Sequence, residues 1–167
     1  NNPENFYLAA GRLIGYKRFD LIIDAFKKLE LPLKIIGAGR EMKNLKKLAG
    51  NAKNIEFLGF VSKENLYDLY SKTKGFIFPQ IEDFGLVAAE AQSAGTPIIG
   101  LKAGGLMEII KEGESGVFFN EQTPESLIKA VKKFNERKFN SDKIRKWAMN
   151  FDEEEFKNKI NDFCLIW

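Results

Sequence analysis

Residues 75–100 read GFIFPQIEDFGLVAAEAQSAGTPIIG. The stretch opens with the apolar run Gly75–Pro79, passes through an acidic loop into an alanine-rich segment ending near Gly95, and closes with a second apolar run, Pro97–Gly100. Apolar runs this short are typical of buried strands, and the segment between them is long enough for one helix. Two strands joined by a single helix lie parallel, because a tight hairpin cannot connect them. The stretch therefore predicts a strand–helix–strand unit with parallel strands.

The same alternation extends in both directions from this unit. Four further apolar runs predict strands, at Phe6–Ala10, Pro32–Gly37, Ile55–Leu58 and Gly116–Phe119. Helical spacing or a helix-opening glycine turn separates consecutive runs, and Ser62 can cap the helix that follows the run Ile55–Leu58. Three helices without strands come last, beginning near Thr123, Ser141 and Asp152. The sequence therefore predicts an α/β fold: one Rossmann-like domain over residues 1–167 with a doubly wound, parallel, six-stranded sheet.

The composition excludes several kinds of chemistry. The 167 residues include no histidine and a single cysteine, which excludes Ser-His-Asp and Cys-His nucleophile pairs, histidine-ligated zinc and an intrachain disulfide. The net charge of +3 gives no reason to expect a nucleic-acid partner. No apolar run approaches the roughly 18 residues of a membrane span, so we expect a soluble, cytoplasmic chain. Because it begins without Met, we also expect a piece of a longer protein.

Glycine turns follow nearly every predicted strand, at the edge where open parallel sheets bind their ligands. Backbone amides at such turns can approach an anion closely, which favours a phosphate-bearing ligand. A third glycine of a dinucleotide fingerprint is absent, since Met42 stands at its position, and there is no Walker A pattern. Tight turns in any α/β protein also use glycine, so each loop alone is compatible with a purely structural role. The turns in question contain Gly11, Gly37, Gly39, Gly59, Gly104 and Gly105.

Two cations follow the first predicted strand. Arg12 comes directly after the strand-ending Gly11, and Lys17 lies five residues further on. An arginine fork and a lysine point charge together suit a diphosphate. The sequence contains no Asp-x-Asp to hold a divalent ion, so the charge of a diphosphate would be met by cations and helix dipoles. We therefore expect no metal.

The run from Glu82 to Glu90 is the most distinctive local feature. A carboxylate accepts paired hydrogen bonds from vicinal sugar hydroxyls, and amides at a helix start, here those of Phe84, Gly85 and Leu86, can donate to hydroxyl or phosphate oxygens. We expect Leu86 to pack on the sheet while Glu90 stays near the ligand edge. A helix-capping or solvated role for Glu82 stays open from these residues alone.

Several motifs stand together in an order and spacing that resemble a known family. The motifs are Gly11-Arg12-Leu13 with Lys17, Gly37-Ala38-Gly39, Phe57-Leu58-Gly59, Glu82, Phe84-Gly85-Leu86, Glu90-Ala91, Gly95-Thr96-Pro97, Gly104-Gly105, Glu108, and Gly113 through Gly116-Val117. Together they cover nearly the whole chain and resemble the family 4 retaining glycosyltransferases with the GT-B fold. Residues 16–21 (YKRFDL) and 122–127 (QTPESL) look most like the mannosyltransferase branch of that family, which uses GDP-mannose.

The resemblance implies that the chain is the C-terminal, donor-binding half of such an enzyme, without the N-terminal acceptor domain. The full enzyme would transfer a hexose, with mannose favoured, from a nucleotide sugar to a glycan or lipid-linked acceptor, with retention and without a cofactor. It would be cytoplasmic, with membrane association open. The isolated chain is expected to bind the donor but not to transfer the sugar.

The resemblance also assigns roles to residues. Arg12 and Lys17 would hold the donor diphosphate and, with Glu82, form the catalytic set, while Glu90 would bind the ribose hydroxyls. The stretch Gly59–Val61 would border the base. The remaining donor-binding residues are Gly11, Gly37, Gly39, Phe84, Gly85 and Leu86.

Two alternatives stay open. In the first, the chain is a non-catalytic nucleotide-sugar-binding module. In the second, it is part of a GT-B enzyme that catalyses a different reaction, such as a sugar-nucleotide epimerase or a phosphorylase. Intact Arg12, Lys17, Glu82 and Glu90 argue against a decayed site. An epimerase would need acid–base residues that the sequence does not offer.

The C-terminal segment predicts one further property. Phe156, Ile160, Phe163 and Trp167 recur at spacings of four, three and four, which puts them on one helix face. That face either packs on the domain's own sheet or, as the resemblance suggests, crosses to the N-terminal domain. In the second case the chain alone is expected to self-associate through this helix.

Overall fold

A computed structural model describes residues 3–165, with side chains for 3–155, 157–158 and 160–161. The described residues contain six strands in one sheet, and every pair of neighbouring strands is parallel. This confirms the predicted α/β class and strand number. The strands are β1 (Tyr7–Ala10), β2 (Leu33–Ile36), β3 (Ile55–Gly59), β4 (Gly75–Phe78), β5 (Ile98–Leu101) and β6 (Gly116–Phe119).

Helices separate the strands and complete the C-terminal part. Several begin at the caps that the sequence predicts: the side chain of Ser62 accepts from the amide of Asn65, and that of Thr123 accepts from the amide of Ser126, with proline next in the chain. The helices are α1 (Phe19–Leu29), α2 (Met42–Ala49), α3 (Lys63–Lys72), α4 (Leu86–Ser93), α5 (Leu106–Ile109), α6 (Pro124–Asn135), α7 (Ser141–Ala148) and α8 (Glu153–Leu165).

The strand order is β3-β2-β1-β4-β5-β6. The chain therefore adds β2 and β3 on one side of β1, and then adds β4, β5 and β6 on the other side. Strand β4 pairs with β1 through Tyr7 opposite Gly75 and Leu8 opposite Phe76. The loops after β1 and β4 therefore leave the sheet side by side but belong to different halves of the chain. Such a reversal of strand order is where open α/β sheets have a crevice.

Two hydrophobic cores cover the sheet, one on each face. Tyr7 and Ala9 of β1 belong to the core formed with α1, α2 and α6, whereas Leu8 and Ala10 belong to the core formed with α3, α4 and α5. This division follows the two-residue period of a strand, which alternates side chains between faces. Because both faces are covered, all four residues of β1 are apolar and buried.

The loops after β1 and β2 pack against each other backbone to backbone. A Cβ atom on Gly37 would lie 1.8 Å from the carbonyl oxygen of Gly11, and one on Gly39 would lie 2.3 Å from that of Leu13. Hydrogen bonds join the same segments, with the Leu13 amide donating to the Ala38 carbonyl at 3.0 Å. Only glycine allows this approach, so Gly37 and Gly39 have a structural role of the kind that the sequence left open for these loops, although the partner loop was not predicted.

Helix α8 carries the segment for which self-association is predicted. Ile160 is exposed, whereas the side chains of Phe156 and Phe163, and all of Trp167, lie outside the described residues. The self-association therefore stays a prediction. In residues 3–165, none of the helices combines the length and apolar character needed to cross a bilayer.

The contact at Gly39 generates a stability prediction. Gly39→Ala is expected to lower the free energy of unfolding by about 2–3 kcal/mol, because the added methyl meets a fixed backbone oxygen. Gly15→Ala is the matched control: its Cβ would meet nothing within 4 Å, and its effect should stay within about 0.5 kcal/mol. Urea unfolding of both variants provides the measurement, and equal stabilities would contradict the packing role.

Candidate active site

A cleft of about 400 Å³ opens at the carboxyl edge of the sheet, where the strand order reverses. Its walls come from the ends of β1 and β2, the loop after β3, and helices α3 and α4. Most of the lining is apolar, with a guanidinium and a carboxylate as its charged groups. The lining residues are Ala10, Gly11, Arg12, Ile36, Gly37, Ala38, Phe60, Val61, Leu66, Tyr70, Val87 and Glu90.

Beside the cleft, the loops after β1 and β4 meet through an ion pair. A single 3-10 turn, Gly15–Lys17, brings Lys17 Nζ into contact with Glu82 Oε1. Lys17 is 8% exposed, and burial lowers the pKa of its ammonium below the ordinary 10.5, an effect that the positive charge of Arg12 increases. An anion that approaches this ammonium offsets part of the cost of burying its charge.

Arg12 is the second cation of the site. It is exposed, it lines the cleft, and it forms no ion pair with any residue for which the structure gives a side chain. Its charge acts on Lys17, so the two cations are close neighbours. A guanidinium presents donors in a fixed fork that fits phosphate oxygens. The site thus offers an unpaired guanidinium next to a buried ammonium.

The Gly104–Gly105 turn fixes the backbone of Glu82. The Gly105 amide donates to the Glu82 carbonyl at 2.9 Å, and a Cβ on Gly104 would lie 2.3 Å from that same oxygen. Gln80, which is buried, approaches Glu82 Oε1 with its Nε2 at 3.5 Å. These contacts hold the backbone of the acidic loop in place, and they explain why two adjacent glycines stand here.

Helix α4 begins at the edge of the site. Gly85 caps it in the left-handed region, at φ 95°. Within the described residues, no hydrogen bond occupies the amides of Phe84, Gly85 and Leu86, so all three can donate to a ligand. The expectation that Leu86 packs on the sheet is wrong. Leu86 is 65% exposed, because it lies on the same outward helix face as Glu90, one turn further on, while Ala88 and Ala91 face the sheet.

The following turns of α4 contribute residues both to the core and to the cleft. Ala88 and Ala91 are fully buried against the sheet. Val87 and Glu90, one turn apart, line the cleft instead, as expected for Glu90. Glu90 is exposed, so its carboxylate can rearrange toward a ligand without disturbing the core.

Most of the predicted site residues come together, in two adjacent groups. Gly11, Arg12, Gly37 and Glu90 line the cleft, and Lys17 meets Glu82 beside it. Gly39 and Gly59 are not among the lining residues. Gly59 is left-handed, at φ 69°, and its carbonyl accepts from the Gly37 amide at 2.8 Å.

Phe60, within the stretch expected to border the base, is 88% exposed at the cleft. Two contributors escaped the sequence interpretation. Tyr70 forms part of the cleft wall. Gln122, from the loop after β6, donates to the Pro79 carbonyl at 2.9 Å and lies 3.4 Å from Arg18 Nη1, so it links the loops after β1, β4 and β6. Both roles depend on contacts that only the folded chain makes.

The fold and the cleft define a doubly wound α/β domain with a cationic, carboxylate-bearing site at its switch point. Residues 1–154 match the family model described as "Glycosyl transferases group 1". The chain therefore belongs to this glycosyltransferase family, and its sheet matches the Rossmann-like domains of the GT-B fold.

Relatives carry the same family identity. Two glycosyltransferases of Methanocaldococcus jannaschii, both described as uncharacterized, are 29% and 35% identical over 97% and 78% of this chain. The O-antigen chain mannosyltransferase C of Escherichia coli is 27% identical over 77% of it. These matches cover 46%, 35% and 36% of the relatives, so the chain spans less than half of their length.

Solved structures support the fold. The lipopolysaccharide outer core galactosyltransferase WaaB superposes with a TM-score of 0.84 at 21% identity, over 96% of this chain and 51% of WaaB. The pneumococcal O-GlcNAc transferase GtfA, solved in complex with UDP and GlcNAc, superposes with a TM-score of 0.80 at 23% identity, over 97% of this chain and 35% of GtfA. At these identities the likeness establishes the fold alone.

Proposed function

We propose that this chain is the donor-binding half of a retaining hexosyltransferase, with GDP-mannose as the donor and a glycan or lipid-linked acceptor. One observation carries the proposal: a buried ammonium, Lys17, and a guanidinium without an ion pair among the described residues, Arg12, share one edge of the sheet with a carboxylate, Glu82. A nucleoside diphosphate leaving group develops negative charge as it departs, and preorganised cations stabilise that charge.

The transfer step follows from this arrangement of charges. The acceptor hydroxyl oxygen forms a bond to the anomeric carbon while the bond from that carbon to the diphosphate oxygen breaks. The electron pair of the broken bond stays on the diphosphate, and Arg12 and Lys17 compensate the negative charge that results. The hydroxyl proton leaves with the diphosphate, which accounts for attack on the same face and for retention. The acceptor site belongs to the remainder of the full-length enzyme, since related enzymes are about twice the length of this chain or longer.

Glu82 changes partner in this scheme. Without a donor it pairs with Lys17. A diphosphate takes over that ammonium, and the carboxylate then accepts hydrogen bonds from the sugar hydroxyls. The unoccupied amides of Phe84, Gly85 and Leu86 lie next to it in the chain and donate to the same sugar or to the phosphate.

The cleft suits the nucleoside. Its volume of about 400 Å³ and its mainly apolar wall match a base, for which Phe60 provides an exposed ring beside Gly59 and Val61. Glu90 is the carboxylate of this cleft, and vicinal ribose hydroxyls are the groups that a carboxylate binds in pairs.

Mannose is supported by residues 16–21 and 122–127, which resemble the mannosyltransferase branch, and by the Escherichia coli mannosyltransferase among the relatives. The complex of GtfA with UDP makes a uridine donor the competing hypothesis. Assay of the full-length enzyme with GDP-, UDP- and ADP-sugars tests both. We expect turnover with GDP-mannose; turnover with a UDP-sugar alone would reject mannose, and binding without any turnover would indicate a binding module.

Substitution of Glu90 tests the nucleoside site. Glu90→Ala is expected to weaken GDP binding about 10- to 100-fold, through loss of charge-assisted hydrogen bonds worth about 1.5–3 kcal/mol, without lowering the melting temperature. Titration calorimetry measures the affinity. Glu136→Ala, an exposed glutamate that ends α6 at the opposite edge of the sheet, is the control and should bind as the wild type does. A lowered melting temperature with unchanged affinity would make Glu90 structural.

Lys17 generates a pH prediction. Its pKa is lowered on folding, and a bound diphosphate favours the ammonium form. Affinity for GDP is therefore full below the lowered pKa and falls as the pH rises through it, at a pH below the ordinary 10.5. Calorimetry at increasing pH measures the fall. Lys17→Arg keeps its charge and should lose the pH dependence; the same fall in this variant would assign the titration to another group.

Metal independence is a third prediction. The sequence lacks Asp-x-Asp, and Arg12 with Lys17 supplies the positive charge that a divalent ion provides elsewhere. The full-length enzyme is expected to retain its activity after dialysis against EDTA. Loss of activity that Mg²⁺ or Mn²⁺ restores would refute this expectation.

A further inference from the structure

Tyr70 holds a buried hydroxyl without a partner. The residue lies in the last turns of α3 and is 2% exposed, and its oxygen has no hydrogen-bond partner among the described residues. Its ring packs edge-on against Phe76, at 5.5 Å between centroids. The packing explains why an aromatic ring stands at this position but not why the ring carries a hydroxyl group, because a phenylalanine would make the same contact. A buried, unpaired hydroxyl lowers stability, so its presence needs another reason.

Glu90 is the acidic neighbour of this hydroxyl. The two residues line the cleft together, and they also line a second cavity of about 260 Å³, which residues of α3 and α4 form. Burial and the negative charge of Glu90 both raise the pKa of the Tyr70 phenol. The phenol therefore stays protonated at neutral pH and is a hydrogen-bond donor without an acceptor, next to a carboxylate that is free to move.

We propose that Tyr70 is a positioning residue for Glu90, donating its hydroxyl hydrogen bond to the Glu90 carboxylate when a nucleoside diphosphate occupies the cleft. The inference rests on the proposed function, in which Glu90 binds the ribose. A carboxylate has two oxygens and about four acceptor positions, so it can accept from Tyr70 and from two ribose hydroxyls together. The bond from Tyr70 orients the carboxylate toward the sugar, and ligand binding provides the acceptor that the hydroxyl lacks.

The first test is Tyr70→Phe in the full-length protein. We expect about tenfold weaker binding of GDP, measured by calorimetry, with a melting temperature that is unchanged or raised because an unpaired buried hydroxyl is removed. Tyr67→Phe is the matched control. Tyr67 lies one turn earlier on α3, is 52% exposed and donates weakly to the Ser93 carbonyl at 3.4 Å, so its removal should leave GDP affinity unchanged.

Inorganic pyrophosphate distinguishes positioning from damage. Pyrophosphate has no ribose, so Tyr70→Phe should leave the affinity for pyrophosphate unchanged while it weakens the binding of GDP. Equal weakening of both ligands would show that the variant perturbs the site as a whole and would overturn the proposal.

A double-mutant cycle with Glu90→Ala separates the inference from the proposed function. In the Glu90→Ala background, Tyr70→Phe should have no further effect on GDP affinity, because both substitutions remove the same arrangement. The role of Tyr70 is overturned if Tyr70→Phe weakens GDP binding as much in the Glu90→Ala background as in the wild type. It is also overturned if Tyr70→Phe alone leaves GDP affinity unchanged. If Glu90→Ala alone leaves GDP binding unchanged, the proposed ribose contact itself is wrong.

Discussion

Strand β1 is covered on both faces and paired on both edges, and this enclosure determines where every other part of the molecule can lie. Its four residues are buried, and the only direction left to the chain is out through the carboxyl end. There the loop after β1 meets that of β2 at Gly37 and Gly39, and that of β4 at the pair of Lys17 with Glu82. A site at this edge follows from the packing of the sheet.

Two cations and two carboxylates lie at this edge. Glu82 faces the buried ammonium of Lys17, while Arg12 and Glu90 line the cleft, and Arg12 has no ion-pair partner among the described side chains. The Gly104–Gly105 turn holds the backbone of Glu82, so the carboxylate can exchange hydrogen-bond partners while its loop keeps its position. The polypeptide thus combines a rigid backbone with a guanidinium and an ammonium at one edge of the sheet, which is what binding of a multiply charged anion requires.

Periodicity was sufficient to predict all six strands and the helix starts at Ser62 and Thr123, because apolar alternation and capping are local properties. The position of Glu90 on α4 was predicted correctly and that of Leu86 was not, although the four-residue spacing places both on one helix face, which points away from the sheet. The unpaired hydroxyl of Tyr70 and the loop that packs against Gly39 were beyond prediction. Both depend on atoms far away in sequence.

The Gln122 contacts bear on how small a working donor domain can be. Gln122 lies 104 positions from Arg18 in the chain, yet it contacts that side chain and holds the Pro79 carbonyl before the acidic loop. A version of the domain cut after β6 would keep Arg12, Lys17, Glu82 and Glu90 and would still lose the brace across their loops. The minimal unit therefore extends beyond the residues proposed to bind the donor, because it includes the loop after β6 and helix α6, which completes one of the two cores.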